Sequence, residues 1–175
     1  MIFSTARLIA RRFDPRDLEP FVAMRNDPQV FRYQSWDSYT EDQGRILLQE
    51  LSRMNPGDPG WFQFALEDRV SGSFVGDCGI DISEKDRRLA EIGYTIRPLY
   101  WGRGLCTEAV TALTDYAFAT FGLHRITASV DPRNIPSCRV LEKSGYKKEA
   151  HFRQSLWDKG EWADDVVYAR LRHPG

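Results

Sequence analysis

Residues Arg97 to Ala109 read RPLYWGRGLCTEA, and the segments on either side of them decide the architecture. Before the loop, AEIGYTI (90–96) alternates like a strand. After it, AVTALTDYAFATF (109–121) has the apolar spacing of a helix, and Gly122 suits the left-handed position just past a helix end. Residues 125–130, RITASV, alternate again. Strand 90–96, helix 107–121 and strand 125–130 therefore make a βαβ unit, expected to be parallel and right-handed. Ligands of open sheets bind beyond the carboxyl ends of strands, which is where this loop lies. The first turn of a helix exposes unpaired N–H groups and about half a positive charge. Gly102 and Gly104 let an anion approach that backbone closely, although two glycines in a tight turn would read the same way.

Two nucleotide fingerprints fail on spacing. A phosphate-binding loop of the NTPase kind needs a lysine and a hydroxyl residue after its last glycine, and this loop has no lysine. A dinucleotide fingerprint would need glycine at position 107, which is Thr107.

The N-terminal segment RLIARRF (7–13) leans towards a strand, and Asp14-Pro15 can start a helix over LEPFVAMRN, which Asp27-Pro28 breaks. Thr40 can cap a second helix, TEDQGRILLQELSRM, with Ile46, Leu47 and Leu51 on its buried stripe. WFQFALEDRVSGSFVGDCGIDIS (61–83) reads as a hairpin turning over Asp68 to Gly72, and strand 90–96 extends it to a three-strand antiparallel meander. Asn134 can cap a helix running to Ser144, closed by Gly145. Residues 146–150 and 166–171 are expected to be the last strands, joined by a polar segment 154–165 that contains tryptophan. The sum is an α+β chain with a mixed, mostly antiparallel sheet and helices on both faces.

The formal net charge of −1 gives no general case for nucleic acid or an anionic membrane. Cys78, Cys106 and Cys138 are far apart, as suits a reducing cytosol, and His124, His151 and His173 have no ligand spacing, so no metal is expected. The N-terminal arginines suit a transit peptide, but the apolar run is broken by Arg7 and Arg11, and Asp14 and Asp17 follow at once, which favours a first strand. A cytoplasmic protein is expected.

TARLIARRF (5–13), NDPQVFRY (26–33), AEIGYTIRPLYWGRGLCTEA (90–109), NIPSCRVLEKSGY (134–146) and GEWADDVVYA (160–169) follow one another in an order that resembles the GNAT N-acetyltransferase superfamily. Within it the chain is similar to the ribosomal-protein N-acetyltransferase-like (Rim-type) branch. The resemblance spans almost all of residues 1–175 and implies a single acetyltransferase domain. It implies a V-shaped splay between strands 90–96 and 125–130, the fourth and fifth strands of this reading. It also implies acetyl-CoA as co-substrate. The loop would wrap the pyrophosphate with the backbone of Gly102, Arg103, Gly104, Leu105, Cys106 and Thr107, while Ile96 and Arg97 border the pantetheine and Asn134 and Ser137 meet it. Leu99 stands where the family often has Gln or Arg, and Cys106 where it prefers Gly or Ala.

Acetylating an amine needs a neutral nitrogen, a donor to the developing oxyanion and a proton for the leaving sulfur. The resemblance implies Glu91 as the base, although a strand glutamate in a structural ion pair looks the same. It implies Ser137 beside the sulfur. Leu141 occupies the position where many members carry a proton-donating tyrosine, which keeps a non-catalytic CoA-binding module in view, as well as transfer of a larger acyl group such as succinyl. Tyr33, Trp36, Tyr39, Trp61 and Phe62 are candidates for the acceptor wall. Asp164 and Tyr168 match the family's closing motif. Residues 14–58 hold nine acids against five arginines and no lysine, a net of −4 that mildly favours a cationic acceptor. The acceptor could be a protein N-terminus, a polyamine, an amino acid or an aminoglycoside-like amine, and a homodimer through the C-terminal strands is common in the family.

Overall fold

The computed structural model describes residues 1–172, so His173 lies outside the described residues. The strands are β1 (Phe3–Ser4), β2 (Leu8–Arg11), β3 (Gly60–Asp68), β4 (Phe74–Ile82), β5 (Leu89–Ile96), β6 (Arg125–Val130), β7 (Lys147–Asp158) and β8 (Glu161–Leu171). The helices are α1 (Leu18–Arg25), α2 (Pro28–Phe31), α3 (Glu41–Arg53), α4 (Leu105–Phe121) and α5 (Ile135–Lys143). One sheet holds all eight strands in the order β1-β2-β3-β4-β5-β6-β8-β7. Every neighbouring pair is antiparallel except β5 and β6, which are parallel as expected.

The alternation of β3 sorts the core. Phe62, Phe64 and Leu66 point to a large cluster that includes Leu105, Val110 and Leu113 of α4, whereas Ala65 points to a second cluster with Phe21 and Met24 of α1. The two clusters lie on opposite faces of the sheet because successive strand side chains point opposite ways. Leu141 is 1% exposed within the large cluster, so it anchors α5 there.

On the second face, Arg25 of α1 reaches Asp77 of β4 at 3.0 Å, both almost fully buried. Trp36 lies 3.9 Å from the guanidinium carbon and Phe21 4.8 Å, ring centroid in each case, and the Trp36 indole N–H donates to the Arg25 carbonyl at 2.9 Å. Burial pushes the Asp77 carboxyl up, and Arg25 opposes it. This pair ties the helical layer to the sheet.

Several sequence expectations are corrected. A short β1 precedes the first expected strand and pairs with it. Asp27-Pro28 ends α1 but also starts α2, because the Asp27 carboxylate caps the Gln29 N–H at 2.9 Å. Ile46 is 56% exposed, and the buried positions of α3 are Gly44 and Leu51. The added Cβ of an alanine at 44 would lie 2.7 Å from Leu18, so the glycine sets the approach of α3 to α1. Segment 154–165 is not a linker: β7 and β8 form one long hairpin turning at Lys159 and Gly160. β7 and the outer part of β8 face solvent and lack apolar alternation, while Val166, Tyr168 and Ala169 of β8 are buried. Its turn uses positive φ at Lys159 (48°) and Gly160 (82°) without the usual Asn-Gly signal.

Asp77→Ala strands the Arg25 charge under aromatic rings and is expected to cost about 3–5 kcal/mol in a denaturant melt. The double replacement Arg25→Met/Asp77→Leu should cost much less, because no charge is left unpaired.

Candidate active site

The strands β5 and β6 pair only at Leu89–Arg125, Ala90–Ile126 and Glu91–Thr127. β5 continues to Ile96 and β6 to Val130, so beyond Glu91 the strands diverge and the β5 edge facing β6 is unpaired. This is the expected splay. Two cavities open beside it.

The larger, about 790 Å³, is lined by Ile96, Gly102, Gly104, Leu105, Cys106 and Thr107 on one side and by Asn134, Ser137, Arg139, Val140 and Lys143 of α5 on the other. Gly104 is the N-cap of α4 with φ +74°, and the helix ladder begins with the Glu108 N–H on the Gly104 carbonyl at 3.1 Å. The N–H groups of 105–107 therefore have no intrahelical partner. The loop is braced from outside. The Trp101 indole donates to the Ile96 carbonyl at 2.6 Å, and Arg7 donates to the Arg103 carbonyl at 2.8 Å and to Glu108 at 2.7 Å. Thr5 also bonds Glu108. The tryptophan and glutamate of the motif thus fix the loop, and the glycines leave its inner surface bare.

The smaller cavity, about 340 Å³, lies on the other side of the cleft. Ile92, Gly93, Ser129 and four aspartates, Asp131, Asp158, Asp164 and Asp165, line it. Tyr33, Gln34, Tyr94, Asn134 and Ser137 belong to both cavities and form the seam between them. At that seam the Tyr94 hydroxyl lies 2.8 Å from Ser137 Oγ and 3.2 Å from the Ser137 carbonyl oxygen. Asn134 caps α5 by accepting the Ser137 N–H at 3.3 Å.

The expected site residues separate into groups. Ile96, Gly102, Gly104, Leu105, Cys106, Thr107, Asn134 and Ser137 line the larger cavity. Arg97 and Arg103 do not: the Arg97 guanidinium donates to the Phe74 carbonyl at 3.0 Å, and the Arg103 guanidinium lies 5.6 Å from the Tyr100 ring centroid. Tyr33 lines both cavities and Asp164 the smaller one. Trp36 and Tyr39 lie instead around Arg25, and Phe62 is a core residue at 1% exposure. Trp61 lines neither cavity, and Tyr168 packs in the core with its hydroxyl donating to Glu142 at 3.1 Å.

Glu91 lies just behind the smaller cavity, next to two of its lining residues. It accepts the Ser129 N–H, and burial, then Asp81 and Asp165, push its carboxyl up. Burial also raises Asp165, which the Ser129 hydroxyl approaches at 3.5 Å. Asp164 is the opposite: the Gln154 amide at 2.9 Å and His151 Nε2 at 2.6 Å hold its carboxyl below the usual range. Carboxyls pushed apart in this way divide into a fixed anion and candidate bases.

Sequence reasoning missed Tyr94, Asp165 and the cationic stripe Arg139–Lys143. The stripe was visible as Pro136, Arg139, Val140 and Lys143, the i, i+3, i+4, i+7 spacing of one helix face. Tyr94 was visible only as the one polar side chain between Ile92 and Ile96 on a strand face.

Residues 7–147 match the family model described as "Acetyltransferase (GNAT) domain". This chain belongs to the GNAT acetyltransferase family. The Bacillus subtilis "Probable N-acetyltransferase YjcK" is 48% identical over 137 residues, 77% of this chain and 75% of that protein. The ribosomal protein uS5-alanine N-acetyltransferase of Escherichia coli is 37% identical over 109 residues, 62% of this chain and 56% of that one, in keeping with the Rim-type branch. A GNAT-family acetyltransferase structure from Bacillus anthracis superposes with TM-score 0.85 at 30% identity, covering 96% of each chain. Spermidine N-acetyltransferase from Vibrio cholerae, in complex with CoA and spermine, shares the fold at TM-score 0.83 and 21% identity over 95% of this chain and 96% of that one. The chain is an N-acetyltransferase of the GNAT fold. No helix among the described residues is long and apolar enough to cross a membrane.

Lys159, at the tip of the β7–β8 hairpin, joins the two walls of the smaller cavity. Its ammonium bonds the Phe31 carbonyl at 2.9 Å and the Gln34 carbonyl, with Asp158 3.5 Å away. Lys159→Ala should raise amide hydrogen exchange across residues 33–36 roughly tenfold while leaving the core strands at wild-type rates.

Proposed function

We propose that this GNAT enzyme transfers acetyl directly from acetyl-CoA to a primary amine, with the donor in the larger cavity and a cationic acceptor in the smaller one. The observation that carries this reading is the opposite charge of the two cavities. Arg32, Arg133, Arg139 and Lys143 line the larger, with no acid among its lining residues; four aspartates line the smaller, of which Asp131 pairs with Arg133 at 2.7 Å and Asp158 lies 3.5 Å from Lys159, so that Asp164 and Asp165 carry its excess negative charge. A polyanionic donor and an ammonium-bearing acceptor are drawn to opposite sides of one seam.

The residues fit the donor's parts. The bare N–H groups of 105–107 and the glycine backbone suit a pyrophosphate. The unpaired edge of β5 after Glu91 offers strand-like hydrogen bonds to the amides of the pantetheine arm. Arg139 and Lys143 supply cations along α5. When bound, acetyl-CoA supplies the activated acetyl group; the chain supplies alignment and proton handling.

An alkylammonium must lose a proton before it can attack. Glu91 and Asp165 are the carboxylates whose surroundings favour accepting it, directly or through a water. Asp164, fixed by His151 and Gln154, is suited to holding a second positive charge of the acceptor. Removing Asp165 takes a like charge from Glu91 and lowers its proton affinity.

The deciding experiment is thiol release from acetyl-CoA against N-terminal peptides, polyamines, amino acids and aminoglycosides. Turnover is expected, with better kcat/KM for acceptors carrying more than one positive charge; CoA binding without turnover on any amine would overturn the assignment. Competing succinyl-CoA in the same assay should lose to acetyl-CoA. Asp165→Asn should move the acidic limb of the kcat/KM profile to lower pH. Glu91→Gln should abolish that limb, and an unchanged profile between about pH 6 and 9 would exclude Glu91 as the base.

A further inference from the structure

Ile92, Tyr94 and Ile96 share one face of β5, and the two isoleucines are core residues. Phenylalanine would fill the position of Tyr94 equally well. The side chain is partly buried and its phenol oxygen is turned to the cavity seam, where it has a specific partner. It spans the opened strands and meets α5 at Ser137, at the seam where the two cavities join.

We propose that Tyr94 is a positioning residue for acyl transfer: its phenol donates to Ser137 Oγ and thereby leaves the serine's own proton free for the departing sulfur. The proposal rests on the CoA reading above. The phenol has a single proton and two acceptors in range, Ser137 Oγ at 2.8 Å and the Ser137 carbonyl at 3.2 Å. That carbonyl sits in the first turn of α5, where it accepts the helical bond from four residues on. The hydroxyl is nearer and less committed. With its lone pair occupied by Tyr94, the serine O–H turns into the seam.

Burial pushes the Tyr94 phenol well above its ordinary range. It therefore stays protonated and acts as a fixed donor, not as a proton source. In the transfer the nitrogen–carbon bond forms and the carbon–sulfur bond breaks, with that bond's electron pair going to sulfur. One proton leaves the nitrogen for the carboxylate side and one reaches the sulfur from solvent. The chain Tyr94 O–H to Ser137 O–H to sulfur holds the negative charge meanwhile, each bond polarising the next. The N-terminal end of α5 adds its partial positive charge. Buried Leu141 cannot supply a proton, so this arrangement takes the place of the missing α5 tyrosine.

The test uses full-length wild-type protein, Tyr94→Phe, Ser137→Ala and the double variant, each with bound CoA. The ionisation of the bound thiol is followed by thiolate absorbance against pH. The wild type should depress the thiol pKa below that of free CoA, and each single variant should return it by about one unit. The double variant should go no further than Ser137→Ala. Turnover of Tyr94→Phe should fall roughly tenfold at unchanged KM for acetyl-CoA. Incorporating 3-fluorotyrosine at 94, a stronger donor of the same shape, should move the bound thiol the other way, which keeps the test open even if the phenylalanine variant folds poorly. Equal thiol titration in wild type and Tyr94→Phe, or additive losses in the double variant, would overturn the proposal alone. Failure of the wild type to bind CoA would overturn the cofactor reading and this proposal with it.

Discussion

The site depends on where the ladder between β5 and β6 stops. Three residue pairs hold these parallel strands together, and after Glu91–Thr127 they separate. A sheet that stayed closed would bury the backbone edge of β5 and leave no cleft. The opening is sustained from both sides. β5 keeps its antiparallel pairing with β4 as far as Ile96, and β6 keeps its pairing with β8 as far as Val130. Each strand is satisfied on its outer side, so the cost of parting is confined to a few inner hydrogen bonds, which a ligand edge can replace.

Everything at the site is arranged along that opening. The glycine loop leaves β5 at its carboxyl end and turns at once into α4, and α5 follows β6 by the same logic on the other side. The cleft thus receives two helix N-termini: α4 leaves the N–H groups of residues 105–107 without an intrahelical partner, whereas the first N–H groups of α5 are taken by Arg133 and Asn134 and that helix offers only its dipole. Braces keep these elements in place. Arg7 and Thr5 hold the loop through Glu108, and Leu141 roots α5 in the core. The buried Arg25–Asp77 pair anchors the helical layer ahead of the Tyr33–Gln34 wall. Charge is then divided between the two sides: cations from α5 and residues 32 and 133, aspartates from β8, the hairpin and the end of β6.

Local pattern was enough for the elements that bury a face. The periods of α4 and β6 are set by burial against one core, and burial writes its period into the sequence, while the cap at Thr40 is a local hydrogen bond to the Gln43 N–H that consecutive residues spell out. The outer part of the β7–β8 hairpin was misread because it faces solvent and nothing there forces alternation, whereas the inner part of β8, with Val166 and Tyr168 buried, was legible as a strand. Trp36, Tyr39 and Phe62 were assigned to a wall because they are aromatic. Which aromatic residue encloses Arg25 and which faces a cavity depends on contacts between residues far apart in the chain.

Sequence by itself determined the glycine-loop side of the cleft: a glycine loop with a bracing Trp and Glu, followed by Asn134 and Ser137, is a local backbone device, and local devices are spelled out in consecutive residues. Tertiary structure alone decided the aspartate-lined side of the cleft and the pairings at its seam. Tyr94 meets Ser137 across 43 positions, and Glu91 meets Asp165 from separate strands. Their ionisation depends on burial and on one another's charge, which act through space and leave no spacing in the sequence to read.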